Sequence, residues 1–378
     1  MAAQAKPEIF KAYDIRGVYG DDLDPEIAHL IGRAFARVIA ATEGKETSEL
    51  TLGLGRDMRL TAPEMAAAYR DGMIAEGASV LDAGEIGTEM LYFLVGSRDL
   101  DGGLMCTASH NPKRYTGAKL VGRGALALSG DAGIADVRDR IAAGLGDPAA
   151  TPGSVTDLDI YSEFQEGARS FIDDGAIKPL KVVVDGDFLT ALMSESMLAK
   201  NPGATVLFDV RASRAVADTA ARVGGHALIN RVGHAFFKQR MREVPDAVFG
   251  GEVSGHYYFR DFYSADSGTL PALLILELLS QREQSMSQLL EPYRSQYFIS
   301  GEINSEVSDQ AGKLAEIAER YADGRRTDLD GISIDYDDWH FNVRSSNTEP
   351  LLRLCLESLR SPEHMAAKRD ELLGLIRS

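Results

Sequence analysis

Residues 50–82 read LTLGLGRDMRLTAPEMAAAYRDGMIAEGASVLD, and this stretch indicates the fold class of the first third of the chain. Residues 50–54 and 78–82 are short apolar runs, typical of buried strands. Between them the pattern predicts a helix with Thr61 as N-cap, Glu64 completing a capping box and Gly77 just beyond its end. Strand, helix and strand in this succession favour a parallel sheet with crossover helices.

The alternation of strands and helices continues beyond a linker rich in proline and glycine, which we expect at residues 146–157. A second α/β pattern follows and includes a predicted strand at 180–185 and a predicted helix at 188–200. From about residue 297 the pattern changes to separated strands with a helix at each end. The chain is therefore expected to fold as successive Rossmann-like mixed α/β domains followed by an α+β domain.

The composition excludes several classes of protein. The 378 residues include 40 basic and 57 acidic ones, for a net charge of −17, which opposes non-specific binding to nucleic acid or to an anionic membrane. The longest apolar run is too short to span a bilayer. Cys106 and Cys355 are far apart and lie in apolar contexts, so we expect no disulfide and a reducing compartment. The sequence predicts a soluble, cytoplasmic protein.

The strongest chemical motif is residues 107–112, TASHNP, which follow a predicted strand. Ligands bind beyond the carboxyl ends of strands in open α/β sheets. Ser109, beside His110 and near Lys119, could carry a phosphate whose charge the neighbouring cations stabilise. The same residues also fit a turn, in which Ser and Asn cap backbone groups and Pro ends the segment.

Residues 344–350, RSSNTEP, form a second candidate site. Arg344 and Arg353 on either side of a loop of hydroxyl and amide groups suit a phosphate, because guanidinium groups match phosphate oxygens in pairs. A polar hairpin loop with an incidental arginine is the alternative.

Two further loops are weaker candidates. In GGEVSGH, residues 250–256, Glu252 and Ser254 alternate on one side of a stretch that we expect to be extended, and both suit sugar hydroxyls. A plain glycine-rich turn is the alternative. His234 and Lys238 share one helical face at i, i+4, which suits an anion or a merely solvated surface.

Together these motifs resemble the α-D-phosphohexomutases, in particular their phosphomannomutase/phosphoglucomutase branch. Further matching stretches are AYDIRG at 12–17, GRD at 55–57, DVR at 209–211 and GHAFFK at 233–238. The resemblance runs from about Ile9 to the C-terminal helix. Thr107 favours this branch over the phosphoglucosamine mutases, which have serine at that place.

The resemblance implies a mutase that moves phosphate between the 1- and 6-positions of mannose or glucose. It proceeds through a phosphoserine and a hexose 1,6-bisphosphate, which also serves as activator. The implied catalytic residues are Ser109, His110, Lys119 and Arg16, with Tyr13 nearby. The implied sugar-facing residues are Arg211, His234, Lys238, Glu252 and Ser254. The implied loop for the non-reacting phosphate contains Arg344, Ser346, Asn347, Thr348 and Arg353.

The second domain departs from the family pattern. The family holds Mg²⁺ beside the phosphoserine Ser109 with three alternating carboxylates in a DGDxDR loop, and this string is absent. The chain reads as though most of domain II had been excised near residues 185–188. Asp185 and Asp187 alternate without a third carboxylate. Two carboxylates at a strand end are weak evidence for a metal and are more often a solvated turn or a helix N-cap.

We therefore predict four domains. Their bounds are domain I at 1–150, a truncated domain II at 151–210, domain III at 211–298 and domain IV at 299–378. The truncation is expected to expose apolar faces of the strand at 180–184 and the helix at 188–200. We expect this exposure to cause either self-association or low stability around residues 177–199.

Three functional hypotheses remain open at this stage. The first is a hexose-phosphate mutase impaired by the missing metal loop. The second is a catalytically poor protein that still binds phosphosugars. The third is a defective gene product that folds poorly. A preference for glucose or mannose cannot be derived from the residues, because the two sugars differ in the orientation of one hydroxyl.

Overall fold

The structure is a computed structural model that describes residues 5–130, 133–178, 188–346 and 350–378. Its contacts divide the chain into two compact units. The first comprises Met1–Ser170 and Asp261–Asp266, and the second comprises Phe171–Arg260 and Ser267–Ser378. The predicted division into four domains stays a prediction, and the strand expected at 180–185 lies outside the described residues.

The first unit is a mixed sheet with helices packed on it. Its strands are β1 (Ile15–Val18), β2 (Thr51–Arg56), β3 (Ser79–Glu85), β4 (Gly102–Cys106), β5 (Tyr115–Gly122) and β6 (Val155–Asp157). Its helices are α1 (Pro25–Glu43), α2 (Ala62–Ala75), α3 (Thr88–Ser97), α4 (Ile134–Ala143) and α5 (Tyr161–Arg169). The strand order is β1-β5-β4-β2-β3-β6.

The parallel sheet with crossover helices is confirmed in its centre, where β2 pairs parallel with both β3 and β4. The sheet also contains antiparallel strands that the apolar pattern did not reveal, since β5 pairs antiparallel with β4 and with β1. Strand β6 pairs parallel with β3, so the last part of the expected linker belongs to this sheet. Buried Leu52 and Leu104 join Ile31 and Phe35 of α1 in the core.

The capping box predicted at Thr61 is wrong. Thr61 has helical backbone angles (φ −87°, ψ −11°), and its side chain accepts no capping hydrogen bond. An N-cap needs an extended backbone for its side chain to reach back into the first turn. The Glu64 carboxylate instead accepts a hydrogen bond from the Tyr19 hydroxyl at 2.5 Å. The helix ends before Gly77 as expected, and Gly77 has a φ of +91°.

The second unit contains two sheets. The part before its C-terminal sheet comprises α6 (Leu189–Lys200), β7 (Thr205–Asp209), α7 (Ala215–Arg222), β8 (His226–Asn230), α8 (His234–Glu243), β9 (Ala247–Gly251), β10 (Tyr257–Phe259), α9 (Thr269–Arg282) and α10 (Met286–Arg294). Strand β11 (Ala265–Asp266) lies in the segment that belongs to the first unit. The strands of the second unit follow the order β10-β9-β7-β8 in this sheet, with β7 parallel to β8 and β9.

The C-terminal part is the α+β fold expected from the separated strands. It comprises β12 (Phe298–Glu306), α11 (Gln310–Arg320), β13 (Arg325–Thr327), β14 (Ile332–Asp335), β15 (Trp339–Ser345), β16 (Leu351–Ser358) and α12 (Pro362–Ile376). The order β12-β16-β15-β14-β13 is antiparallel throughout. The predicted fold class, successive mixed α/β domains followed by an α+β domain, is therefore confirmed.

The expectation of a bare apolar face on the helix at 188–200 is wrong. Leu189, Leu192, Met193 and Leu198 of α6 are all at most 5% exposed. The helix is covered within its own unit, where it packs against α7, α9 and β9. Self-association stays a prediction, although this helix offers no exposed face for it.

Two other expectations concern the chain as a whole. Cys106 and Cys355 are free, buried thiols, as expected. No helix in the described ranges is long and apolar enough to cross a membrane.

Helices α1 and α2 approach closely at glycine, and this contact gives a stability prediction. A Cβ added at Gly32 would lie 2.1 Å from the Tyr69 carbonyl oxygen, whereas one added at Gly374 in α12 would meet nothing within 4 Å. We expect Gly32→Ala to destabilise the fold by roughly 1–3 kcal/mol through overpacking. Gly374→Ala, the matched control, is expected to stabilise it by up to ~1 kcal/mol through helix propensity. Urea unfolding followed by circular dichroism measures both; midpoints that move in the same direction contradict this account.

Candidate active site

The Ser109 loop connects β4 to β5 and is held by hydrogen bonds from its own end of the sheet. The Thr107 hydroxyl accepts a hydrogen bond from the Ser109 amide at 2.9 Å and donates to Asp57 Oδ2 at 2.7 Å. Asp57 follows β2, the neighbour of β4. Ser109 itself has a φ of +52°, in the left-handed region that non-glycine residues seldom occupy. Strain of this kind persists where surrounding contacts determine the backbone.

Arg59 supplies those contacts, and the sequence analysis did not identify it. Its guanidinium donates to four carbonyl oxygens, those of Ser109 (2.9 Å), Asn111 (2.7 Å), Pro112 (3.0 Å) and Tyr115 (3.2 Å). Asp57 holds its Nε at 3.2 Å. The feature of the sequence that could have identified Arg59 is its position, two residues after the GRD stretch at 55–57 and close to the end of a strand.

Arg16 and Lys119 lie beside the same loop because β1 and β5 pair antiparallel. Arg16 donates through Nη1 to Asn111 Oδ1 at 2.7 Å and through Nε to Asp14 Oδ2 at 2.8 Å. The Lys119 ammonium lies 4.0 Å from the same Asp14 oxygen. Arg16 thus contacts the Ser109 loop directly, and Lys119 is linked to it through Asp14, whereas the catalytic roles of both cations stay predictions. His110 is exposed, and Tyr13 is partly buried on the segment that leads into β1.

Glu252 lies in a turn, and the expectation that it shares one side of an extended stretch with Ser254 is wrong. Residues 252–256 connect β9 to β10, with the Gly255 amide donating to the Glu252 carbonyl at 3.0 Å. Because a turn reverses the chain, the two side chains separate: Glu252 is 3% exposed, whereas Ser254 is exposed. The Ser254 hydroxyl lies 3.1 Å from His256 Nδ1.

The buried Glu252 carboxylate is a partly satisfied acceptor. Oε1 accepts from the Gly233 amide at 2.8 Å and Oε2 from the Tyr258 hydroxyl at 2.5 Å. Burial raises the pKa of Glu252 to about 7, and the hydrogen bond from Tyr258 opposes this shift. Each carboxylate oxygen has a second lone pair, so the group can still accept a ligand hydroxyl.

Arg211 connects this turn to β7. Its Nη2 lies 2.7 Å from Asp209 Oδ2 and 3.9 Å from Glu252 Oε1. The same Asp209 oxygen accepts the Val253 amide at 2.9 Å. Asp209 therefore holds the turn in place, and Arg211 brings a positive charge close to Glu252.

Lys238 is wholly buried, so the alternative of a solvated face for His234 and Lys238 is wrong. Both lie on α8, and His234 is partly exposed. Phe237 of the same helix stacks on Tyr258 with ring centroids 4.9 Å apart, which places α8 directly behind the Glu252 turn. Helical periodicity alone does not show this burial, which depends on how α8 packs in the tertiary structure.

Arg344 and Arg353 converge as expected, on the paired strands β15 and β16. Arg353 Nη2 lies 3.4 Å from the Ser346 hydroxyl oxygen. Glu302 of β12, which the sequence analysis did not identify, bridges the two arginines. Asn347 and Thr348 lie outside the described residues.

The residues present do not fit the metal centre that the resemblance implies. Within the described ranges, no group of three or more His, Cys, Asp or Glu side chains is placed to hold a metal ion. The chain contains no DGDxDR string, and Asp185 and Asp187 fall in a stretch that the structure does not describe.

Comparison with protein families supports the identity of these loops. The models for "Phosphoglucomutase/phosphomannomutase, alpha/beta/alpha domain I", for the corresponding domain III and for the C-terminal domain match residues 7–144, 185–297 and 302–375. The matched ranges leave residues 145–184 between the first and second models. This is consistent with the loss of most of domain II.

Known proteins with similar sequences and structures agree. A phosphomannomutase from Escherichia coli is 33% identical over 460 aligned positions, covering 97% of this chain and 99% of that protein. Phosphohexose mutases from Xanthomonas campestris are 34% identical over 455 positions, with shares of 97% and 99%. Since this chain has 378 residues, at least 82 of the 460 positions face gaps in it.

A solved structure extends the likeness to three dimensions. A phosphoglucomutase/phosphomannomutase family protein from Burkholderia thailandensis has a TM-score of 0.85 and 27% identity, covering 98% of this chain and 97% of that one. Matched domain models, identity above 30% over nearly the whole chain and a shared fold agree with the motifs at the strand ends. The chain therefore belongs to the phosphoglucomutase/phosphomannomutase family of α-D-phosphohexomutases.

Proposed function

We propose that the protein interconverts the 1- and 6-phosphates of a hexose, mannose or glucose, through a phosphate carried on Ser109. The main support for this proposal is the geometry of the Ser109 loop. Ser109 has a left-handed backbone conformation, Arg59 donates a hydrogen bond to its carbonyl oxygen, and Arg16 and Lys119 lie nearby. Relatives named phosphomannomutase support the activity. The second candidate function is binding of phosphosugars with little or no catalysis. The absence of the metal-binding loop favours this second candidate.

The proposed reaction moves phosphate in two steps that balance. The phosphate on Ser109 passes to the free hydroxyl of a hexose phosphate, which gives a free serine hydroxyl and a hexose 1,6-bisphosphate. The bisphosphate then returns its other phosphate to Ser109 and leaves as the isomeric hexose phosphate. Free bisphosphate would act as activator by phosphorylating Ser109. Arg16 and Lys119 would stabilise the negative charge on the transferring group.

The second unit supplies recognition. Glu252, with its two unused lone pairs, would accept sugar hydroxyls, and Arg211 beside it would donate to them. The resemblance assigns Ser254, His234 and Lys238 to the same sugar-facing surface. Arg344 and Arg353, with Ser346 and the loop that contains Asn347 and Thr348, would hold the phosphate that is not reacting. Positioning of this kind is the main contribution that proteins make to phosphoryl transfer.

Mg²⁺ dependence is usual in phosphohexomutases, where the ion neutralises charge on the transferring phosphoryl group. The residues that the structure describes do not form the centre for it. We therefore assign no step to the ion and propose that turnover is impaired.

The phosphate-holding role of Arg344 can be tested by substitution. Arg344→Ala should weaken binding of mannose 1-phosphate by about 1.5–3 kcal/mol, the range for a hydrogen bond to a charged group. Isothermal titration calorimetry measures the change. Arg360→Ala, which removes an exposed arginine just beyond β16, is the matched control and should leave binding unchanged. An unaltered dissociation constant in Arg344→Ala contradicts the assignment.

The pKa of Glu252 predicts a pH dependence of sugar binding. Because burial raises this pKa to about 7, the carboxylate is mostly neutral at pH 6 and mostly ionised at pH 8. An ionised carboxylate accepts stronger hydrogen bonds from sugar hydroxyls, so affinity for mannose 1-phosphate should rise over this interval. Two ionisations contribute to this increase in affinity, that of Glu252 and that of the phosphate group of the ligand. Glu252→Gln should remove the first contribution and keep the second. Identical profiles for both proteins would show that Glu252 does not contact the sugar.

Turnover itself tests the impairment. We expect conversion of mannose 6-phosphate at least ~100-fold slower than in a full-length relative, since metal assistance contributes several kcal/mol and each ~1.4 kcal/mol is tenfold in rate. Ser109→Ala serves as the blank, and added Mn²⁺ or Mg²⁺ reveals any partial rescue by Asp185 and Asp187. A rate close to that of the relative, dependent on Mg²⁺, would mean that a complete metal centre exists. Binding of hexose phosphate with a rate equal to the blank favours the second candidate function.

A further inference from the structure

Arg344 and Arg353 stand directly opposite each other across the antiparallel pair β15–β16. Like charges in that position destabilise a sheet. Arg344 is 7% exposed, so water screens its charge poorly. The pair therefore requires an anion whenever the protein is folded without a ligand.

Glu302 on β12 supplies that anion. Its Oε2 lies 3.0 Å from Arg344 Nη2 and its Oε1 lies 3.0 Å from Arg353 Nη1, so each oxygen serves one arginine. Arg211 Nη1 approaches Oε2 to 3.4 Å, although Asp209 already balances that guanidinium at 2.7 Å. One carboxylate thus neutralises two opposed arginines and touches a third.

The Glu302 carboxylate leaves some of the hydrogen-bond donors of Arg344 and Arg353 unused. The Nε atoms of Arg344 and Arg353 are buried and have no hydrogen-bond partner within the described part of the chain. A carboxylate offers two oxygens and one charge, whereas a phosphate monoester offers three terminal oxygens and nearly two charges. A phosphate group therefore satisfies the two arginines more completely than Glu302 does.

Glu302 is also free to leave. Its side chain is 22% exposed at the edge strand β12 and that of Arg353 is 26% exposed, whereas the side chains of Arg344 and Arg211 are 8% and 6% exposed. A partly exposed carboxylate can move into water at little cost in solvation, while the buried arginines stay in place.

We propose that Glu302 is an internal placeholder for phosphate: it occupies Arg344 and Arg353 in the ligand-free protein, and the non-reacting phosphate of the substrate displaces it. This rests on the proposed function and adds a specificity-determining residue to it. A ligand displaces Glu302 only if it offers the two arginines more charge and more hydrogen-bond acceptors than one carboxylate does. This requirement favours a dianionic phosphate over a monoanionic carboxylate.

Glu302 is ionised at neutral pH, as the placeholder role requires. Burial alone would raise its pKa, but the hydrogen bond from Arg344 and the charges of Arg344, Arg211 and Arg353 hold the pKa below its usual range. Glu302→Gln therefore removes a charge that is present, with almost no change in shape.

The test compares Glu302→Gln with the unmodified chain by calorimetric titration with inorganic phosphate. We expect the variant to bind phosphate about tenfold more tightly or better, because a competing charge at salt-bridge distance has been removed. Its ligand-free melting temperature should fall, and saturating phosphate should raise that temperature more than it does in the unmodified protein. Glu306→Gln, the same change at an exposed position of the same strand, is the control and should alter neither quantity.

Glu302→Asp provides a second variant in case the first folds poorly. It keeps the charge, but its shorter side chain cannot reach both arginines, so its phosphate affinity should lie between those of the other two proteins. Weaker or unchanged phosphate binding in both variants overturns the placeholder role. If Arg344→Ala still weakens binding in that case, the proposed function stands and Glu302 merely positions the arginines. Absence of phosphate binding in both the unmodified chain and Glu302→Gln overturns both proposals.

Discussion

An aspartate paired with the arginine two residues later fixes the loops on which the candidate site is built. In the first pair, Asp14 precedes β1 and Arg16 lies within it. The second pair, Asp57–Arg59, follows β2, and the third, Asp209–Arg211, begins at the last residue of β7. In each pair the carboxylate holds the guanidinium close to the backbone. The arginine can then bind a loop, as Arg59 does at Ser109, or face a ligand. A buried guanidinium without such a partner would be strongly destabilising.

The same pairing explains how a chain of net charge −17 can recognise an anion. The fold places several of its positive groups at or near strand ends, where short-range hydrogen bonds outweigh the long-range charge. Each is balanced by a carboxylate at rest. Asp14 lies beside Arg16 and Lys119, and Glu302 bridges Arg344 and Arg353. Under the proposed function, binding of a phosphate group would therefore displace a carboxylate that is already bound.

The loss of most of domain II leaves these arrangements complete because each draws its contacts from its own unit. The Ser109 loop is held by Asp57 and Arg59, which follow β2, and by Arg16 of β1, all in the first unit. The Glu252 turn and the two opposed arginines depend on β7, β10, β12, β15 and β16 in the second. Helix α6, which follows the gap, is buried by neighbours of that second unit. The DGDxDR loop, which the resemblance assigns to domain II, is the part of the implied site that the sequence lacks.

The amino-acid sequence by itself determined the α/β class, the position of the candidate loops at strand ends and the family, because apolar periodicity and short motifs are local properties. It could not show that Arg59 holds the Ser109 loop, that Glu252 lies in a turn with Ser254 facing away, or that Lys238 is buried. Nor could it place Glu302 between Arg344 and Arg353, since residues 302 and 353 meet only through the pairing of β12 with β16. These features were decided by the tertiary structure, because they depend on which distant strands become neighbours, and local periodicity carries no record of that choice.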